Sequence, residues 1–350
     1  MAFTEVNNSE LYLQGKLYSG NGSTNAITFD GDENTRPDWL WIKCRSDGNG
    51  HQLFDVLRTT NSLSSDVADA EANRSGDGFT SLDSDGFTLN GSGSGGNVNV
   101  SGRTYIGWGW NAGGSGSANT DGSINTTATS VSTTSGVSIS TYTGTGSNAT
   151  VGHGLGVTPG WIIVKCRNES QTWFVFHQFL GGNVMRLNET NASESPSGTI
   201  TSPNSTIFNI GTAQAVNKSS NTYVAYCFSE KQGFSKFGSY VGNGNADGTF
   251  VYCGFRPAWL MIKRTDASGD AWVLFDNKRP GHNLTDNFLE ADASGAEAVD
   301  NPNQRLDMLS NGFKIRGTGS ATNTSGSTYI FMAFAESPFV NSNGVPNNAR

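Results

Sequence analysis

The stretch Pro-Asp-Trp-Leu-Trp-Ile-Lys-Cys-Arg at residues 37–45 recurs as Pro-Gly-Trp-Ile-Ile-Val-Lys-Cys-Arg at residues 159–167. It recurs again as Pro-Ala-Trp-Leu-Met-Ile-Lys-Arg at residues 257–264. The copies lie about 100–120 residues apart, which is too long for a solenoid repeat and matches the size of a domain. The spacing therefore predicts three related modules in one chain.

Further landmarks flank each of these Trp strands in the same order. Each module opens with Tyr-x-Gly-x-Gly, at residues 18–22, 142–146 and 240–244. Each closes on Thr-Tyr followed by Ile or Val, at residues 104–106, 222–224 and 328–330. A repeated order of three landmarks is not expected by chance, so the modules are predicted to share one fold.

The landmarks also predict the domain boundaries. We expect a first β-sandwich module at residues 1–112, a second at 136–230 and a third at 231–338. A Gly/Ser/Thr-rich linker at 113–135 separates the first two, and a polar tail occupies 339–350. Gly/Ser-rich linkers are flexible. We therefore expect a loose first joint, a tight second joint and a rod of successive modules.

Composition indicates an all-β protein. Only 15% of the 350 residues are charged, 45 are Gly, and short apolar runs alternate with turn residues. The Trp strands are apolar at successive positions, which predicts central strands covered on both faces. The closing strand of each module is also apolar and is expected beside the Trp strand. Pairing of such distant strands favours jelly-roll or concanavalin-lectin-like sandwiches.

Charge and hydropathy exclude some classes of partner. The net charge is −8 and the basic residues are scattered, whereas nucleic-acid binding needs clustered Lys and Arg. No apolar run approaches the roughly 20 residues of a membrane span, so no membrane insertion is expected. The N-terminus lacks a basic start followed by an apolar core, which predicts synthesis in a cytoplasm.

The four cysteines are predicted to be buried, reduced thiols. Cys44 and Cys166 occupy the same position of two modules, and Arg264 replaces them in the third. A disulfide framework would not be lost in one repeat. The alternative is a Cys166–Cys227 disulfide inside the second module.

A recurring lysine offers a candidate binding site. Lys43, Lys165 and Lys263 end the three Trp strands, and Asp55, His177 and Asp276 stand near the end of the neighbouring strands. These residues could form a shared site. We favour lysines that extend from the strand end into solvent, since His177 replaces the aspartate in the second module.

The tryptophans allow two interpretations. Trp39, Trp161 and Trp259 could be sugar-stacking platforms, but their place in apolar strands favours core packing. For Trp173 and Trp272, on the following strands, the sequence does not decide between sugar stacking and core packing.

No catalytic, cofactor-binding or metal-binding residue can be assigned. His51, His153, His177 and His282 have no zinc-type spacing. The acidic stretch Asp-Gly-Asp-Glu-Asn at residues 30–34 could offer oxygens to calcium, but it lacks EF-hand spacing and is not repeated. An exposed loop is the favoured interpretation, and no cofactor is expected.

Several strings resemble virion structural proteins of marine tailed phages. They are residues 1–6, 39–45, 142–156, 234–240 and 334–339. The resemblance extends along nearly the whole chain. It implies lectin-like sandwich repeats, a place on the exterior of the virion, and a tail or tail-fibre role, but no catalytic or ligand-binding residues.

We therefore expect a non-enzymatic, tail-associated fibre or spike component that contacts host surface glycans. The alternative is a head decoration or head-fibre protein. A glycan-degrading enzyme is the third hypothesis and needs paired carboxylates across a cleft.

Other virion proteins are the expected partners, and a homotrimer is expected by analogy alone. The tail after Phe339 is either a docking peptide or a frayed end, and recognition is expected in the loops where the repeats differ.

Overall fold

The computed structural model describes residues 4–91, 96–280 and 282–346. These residues form antiparallel sheets joined by turns, with two four-residue helices. The all-β fold class is confirmed. Residues 1–3 and the tail residues 347–350 lie outside the described part.

The first module begins with a 3₁₀ turn at Ser9–Leu11 and contains nine strands. They are β1 (Leu13–Ser19), β2 (Asn25–Ile27), β3 (Trp39–Cys44), β4 (Gln52–Asp55), β5 (Asn61–Ser62), β6 (Ala72–Asn73), β7 (Gly78–Leu82), β8 (Phe87–Asn90) and β9 (Thr104–Trp110).

The second module contains nine strands and one short helix. They are β10 (Ala128–Ser132), β11 (Val137–Thr143), β12 (Ala149–Gly152), β13 (Trp161–Cys166), β14 (Phe174–His177), β15 (Val184–Arg186), β16 (Ile200–Thr201), β17 (Ile207–Ile210), α1 (Gln214–Asn217) and β18 (Thr222–Phe228).

The third module contains eight strands and one short helix. They are β19 (Ser235–Val241), β20 (Phe250–Tyr252), β21 (Phe255–Arg264), β22 (Val273–Asp276), β23 (Leu289–Glu290), β24 (Leu306–Leu309), β25 (Gly312–Ile315), α2 (Ser320–Asn323) and β26 (Thr328–Pro338).

Each module has a larger inner sheet and a three-stranded outer sheet. The inner sheets have the orders β1-β9-β3-β4, β10-β11-β18-β13-β14-β15 and β19-β26-β21-β22-β23, and the outer sheets β2-β8-β7, β12-β17-β16 and β20-β25-β24. The Trp strand pairs with the distant closing strand in every module, as expected. The jelly-roll or lectin-like subtype stays a prediction.

The two faces of the Trp strand enter different cores. In β3, Leu40 and Ile42 pack with Phe87 of the outer sheet, inside the first module. Trp39 and Trp41 point the other way and belong to a cluster that all three modules share. The strand is apolar at successive positions because both faces are buried.

This shared cluster, which we call the central core, joins the modules pairwise. Ring centroids lie 5.5 Å apart between Trp39 and Phe228, 6.2 Å between Phe228 and Phe334, and 5.8 Å between Trp110 and Phe334. These contacts connect the first module to the second, the second to the third and the third to the first. The three modules form a closed ring, so the expected rod is wrong. The reason is that the second apolar face of each inner sheet must be covered, and the neighbouring modules cover it.

Trp39, Trp161 and Trp259 are buried, which confirms core packing. Their core is the central core rather than the interior of a separate module.

Trp173 and Trp272, for which the sequence allowed two roles, lie at the contacts between modules, which we call the joints. The indole of Trp173 donates to Ser64 O at 3.0 Å, and that of Trp272 donates to Arg186 O at 2.9 Å. His51 takes the equivalent position in the first module. Its Nδ1 accepts from Trp41 Nε1 at 2.7 Å, so its Nε2–H donates to Glu290 O at 2.8 Å. All three side chains reach the backbone of a neighbouring module.

The Tyr-x-Gly-x-Gly landmark packs one end of each module. Tyr18 stacks on Tyr105 with centroids 5.0 Å apart and donates its hydroxyl to Val98 O. A side chain at Gly20 would collide with the carbonyl of Val100. The equivalent stacks join Tyr142 to Tyr223 and Tyr240 to Tyr329. The landmark is therefore a packing motif.

The segment predicted as a flexible linker, 113–135, is ordered. Ser117 bridges to Thr129, Ile124 bridges to Val151, and strand β10 extends the inner sheet of the second module. Ser130 Oγ also donates to Ala112 O at 2.9 Å. The expected loose joint is therefore wrong, because polar Ser/Thr residues can occupy an edge strand whose backbone is paired.

The described part of the tail folds back on the chain. Val340 bridges to Pro346, and Ser342 N donates to Asn7 Oδ1 at 2.8 Å. The two ends of the described chain therefore meet beside the third module.

All four cysteines are buried free thiols, so the prediction of reduced thiols agrees with the structure and the Cys166–Cys227 disulfide is not formed. Burial raises the pKa of Cys227 and Cys253. No helix among the described residues has the length and apolar character needed to cross a membrane.

We predict that Trp272→Phe lowers the free energy of unfolding by about 1–2 kcal/mol more than Trp110→Phe, because it leaves Arg186 O without its donor across the joint. Both indoles are fully buried, and that of Trp110 has no hydrogen-bond partner in the part of the chain that the structure describes. Chemical denaturation of the two variants measures the difference. Equal losses would show that the indole bond does not stabilise the joint.

Candidate functional site

The lysine of the first Trp strand is buried in a joint between modules. Lys43 has no exposed surface, and its Nζ donates to Gly295 O at 2.8 Å and Ser294 O at 3.1 Å in the third module. The expectation that this lysine extends into solvent is wrong. Alternation along the strand places Lys43 on the same face as Trp39 and Trp41, which is the face that meets another module.

The equivalent lysines repeat this contact around the ring. Lys165 Nζ donates to Ala68 O of the first module at 3.0 Å, and Lys263 Nζ donates to Thr190 O of the second at 3.3 Å. Both side chains are buried. The lysine of the first module thus bonds to the third module, that of the second to the first, and that of the third to the second.

An ion pair supports two of these joints. Arg45 bonds to Glu297 at 2.7 Å, and Arg167 bonds to Glu71 at 2.9 Å. The third joint has Thr265 at the arginine position, and only the backbone bond to this residue is kept, from Ser193 N at 2.8 Å. In the third joint, both members of the ion pair are therefore replaced by uncharged residues, Thr265 and Ser193.

The recurring aspartates belong to buried ion pairs. Asp55 and Arg58 bond at 2.6 Å with no exposed surface, and both contact the hydroxyl of Tyr226 in the second module. Asp276 and Arg279 repeat this pair in the third module at 2.6 Å. The aspartates therefore do not form a shared ligand site with the lysines.

The second module replaces the pair with His177 and Leu180. Here His177 Nδ1 accepts the backbone N–H of Phe179 at 3.1 Å, which replaces the bond that the aspartate makes in the other modules. Burial lowers the pKa of His177 to about 3. A neutral imidazole needs no arginine, so the position of Arg58 is taken by Leu180.

The joint lysines are costly to ionise. Burial lowers the pKa of Lys43, Lys165 and Lys263 to about 8 each. Burial, and next the charge of Lys43, lower the pKa of His51 to about 3. Shifted pKa values are typical of active sites, but they also occur in structural networks. Here the three lysines bond to backbone carbonyls, and His51 bonds to Trp41 and to the Glu290 carbonyl.

The acidic loop at residues 30–34 makes local contacts. Asp30 pairs with Lys16, and Glu33 accepts from Asn8 Nδ2 at 3.2 Å. Within the described ranges, no group of three or more His, Cys, Asp or Glu side chains could hold a metal ion.

The outer sheets are where the modules differ most in exposed chemistry. Val251 of β20 is buried against Phe313, while its neighbours Phe250 and Tyr252 are 44% and 62% exposed. Ile27 and Val151 hold the same buried position in the other modules. The exposed aromatic pair belongs to the third module alone.

Tyr252 borders a cleft of about 500 Å³ between three parts of the chain. The N-terminal segment contributes Glu5, and the C-terminal segment contributes Phe339. Glu230 comes from the connection between the second and third modules, and Lys236 from β19 directly after it. Sequence reasoning missed this cleft because its walls come from distant segments. The exposed aromatic pair could have been found by aligning the three repeats.

The cleft carboxylates are held in ion pairs. Glu230 bonds to Lys236 at 2.8 Å and also accepts the N–H of Phe237 at 2.9 Å. Glu5 lies 3.3 Å from Lys231. The cleft therefore presents the oriented carboxylate of Glu230, with other charged groups, beside an aromatic ring.

The chain belongs to the family DUF7483, a domain of unknown function, whose model matches residues 8–338. The match covers all three modules as one unit. No curated protein matches the chain.

We predict that Asp55→His destabilises the chain by about 3–5 kcal/mol, because the buried Arg58 loses its hydrogen-bonded carboxylate and keeps only the more distant Glu71, at 3.7 Å. The double variant Asp55→His/Arg58→Leu reproduces the pair found in the second module and should lose less than the single variant. Chemical denaturation of both variants checks this. A double variant that is as unstable as the single one would contradict the explanation.

We predict that the loss of stability caused by Lys165→Met is about 1–2 kcal/mol larger at pH 9.5 than at pH 7. Lys165 loses its proton near pH 8 when folded and near its ordinary pKa of 10.5 when unfolded. Between these values the unfolded state binds more protons, so the contribution of Lys165 to stability rises with pH. Denaturation of wild type and variant at both pH values isolates this residue from the thiols and tyrosines. An equal loss at both values would contradict a buried, partly neutralised lysine.

Proposed function

For this member of the DUF7483 family, we propose a non-enzymatic structural role on the exterior of a tailed-phage virion, as a tail-associated component. The observation that carries the proposal is where the chemically distinctive side chains lie. The lysines, the Asp–Arg pairs and the joint tryptophans are buried between modules. They bond across the contacts between modules and are shielded from solvent. The sequence resemblance supports the virion location.

The closed ring determines what shape the chain would contribute to a virion. Modules that cover one another's apolar faces cannot extend as a rod, so the chain would add a compact unit to a fibre or spike rather than form a shaft. A compact unit also suits head decoration, which is the second candidate. A location on the head is favoured only by this shape, whereas the resemblance favours the tail.

A glycan-degrading enzyme would depend on the cleft carboxylates. A glycosidase needs one carboxyl group as acid and one as base or nucleophile. Glu230 is engaged by Lys236 and Phe237, and Glu5 by Lys231. These contacts favour a fixed polar lining over proton transfer.

We predict that antibodies against the third module label the tail of purified particles in electron micrographs. Antibodies against the described C-terminal turn, residues 340–346, give a second label on the same particles. Label on the head would favour the decoration role, and absence of the chain from purified particles would contradict both. Release of reducing sugar from host envelope polysaccharide, lost in Glu230→Gln, would favour the enzyme.

A further inference from the structure

The cleft beside the third module has the composition of a ligand site. Its volume of about 500 Å³ lies within the range of small-ligand clefts. It combines an exposed aromatic ring, Tyr252, with the charged side chains of Glu5, Glu230 and Lys236. Such sites are typically lined by aromatic groups and a few placed polar groups.

The aromatic wall is specific to this module. Tyr252 is 62% exposed and follows the buried Val251 at the end of an edge strand. The first module has Thr28 at this position, and the second has Gly152, whose outer side is occupied by Asn119. An exposed tyrosine offers an apolar ring face for stacking together with a polar hydroxyl. An exposed aromatic ring at this position therefore belongs to the third module.

The polar wall is held in place before a ligand arrives. Glu230 Oε1 accepts from Phe237 N at 2.9 Å and from Gln178 Nε2 at 3.2 Å, and Glu230 Oε2 bonds to Lys236 at 2.8 Å. These contacts fix the carboxylate orientation and leave acceptor capacity on its oxygens. Pre-organised polar groups reduce the entropy lost on binding.

The charges determine the class of ligand. Glu5 pairs with Lys231 and Glu230 pairs with Lys236, so negative and positive groups balance at the cleft. A strongly acidic or basic ligand would have to break one of these ion pairs and would leave a like charge beside it. A neutral ligand with many hydroxyls matches donors and acceptors that lie side by side.

We propose that this cleft binds a neutral oligosaccharide, with the apolar C–H face of one pyranose ring stacked on Tyr252. Hydroxyls of the sugar donate to the carboxylate of Glu230 and accept from Lys236. The inference deepens the proposed surface role and rests on it for its biological setting. It gives that role a chemical target, which is neutral glycan.

The test measures binding of maltohexaose and chitohexaose to the purified full chain by titration calorimetry. The hexamer of galacturonic acid is the acidic comparison. Wild type should bind at least one neutral hexasaccharide more tightly than the acidic hexamer. Tyr252→Ala should weaken that binding about tenfold through loss of the stacked ring, while Tyr252→Phe should keep it within about threefold, well above the Ala variant.

Phe179→Ala is the matched control. Phe179 is a comparably exposed aromatic residue in the second module that does not line the cleft, and its loss should leave affinity unchanged. Circular dichroism checks that each variant is folded, and Tyr252→Leu replaces the Ala variant if that one is not. No binding of either neutral sugar, equal affinity without the ring, or preference for the acidic hexamer would overturn the proposal. Each of these results is independent of where antibodies label the particle.

Discussion

The inner sheet of each module has an apolar second face, and covering that face is the constraint on which the rest of the molecule depends. Trp39, Trp161 and Trp259 bring large side chains to this face. A separate module would leave these surfaces in water, at a cost of roughly 2–3 kcal/mol for each large side chain. The modules instead cover one another and close into a ring. The polar contacts of the joints follow from this arrangement, because groups trapped beside the central core need partners there.

Differences among the repeats follow the same logic. Where Thr265 replaces an arginine, the facing position is Ser193 rather than a glutamate. Where His177 replaces an aspartate, Leu180 replaces the arginine. A buried charge without its partner is strongly destabilising, so both members of a pair change together. The same principle explains why Lys43, Lys165 and Lys263 each have carbonyl partners at their joint.

The burial of charged residues in the joints limits where the chain could bind a ligand. The repeated charged groups are committed to the joints, so ligand chemistry must come from parts that are not repeated. The third module provides such a part in Tyr252 and the cleft around Glu230. The cleft exists because the N-terminal segment, the connection after Ser229 and the C-terminal segment meet there. A ring that brings residues as distant as Glu5, Glu230 and Phe339 together can build a site that none of its modules could build alone.

The amino-acid sequence by itself determined the all-β class, the threefold repeat, the central position of the Trp strands and the reduced state of the cysteines. These features depend on local patterns: alternation, turn composition and the recurrence of residues such as Cys44 and Cys166. Alternation also placed Lys43 on the same face as Trp39, but it could not say what covers that face. Only the tertiary structure decided that the modules close into a ring, that residues 113–135 form part of a sheet, and that Lys43 binds the backbone at Gly295. The physical reason is that strand periodicity fixes which side chains share a face, whereas the partner of that face is set by contacts between residues up to about 250 positions apart.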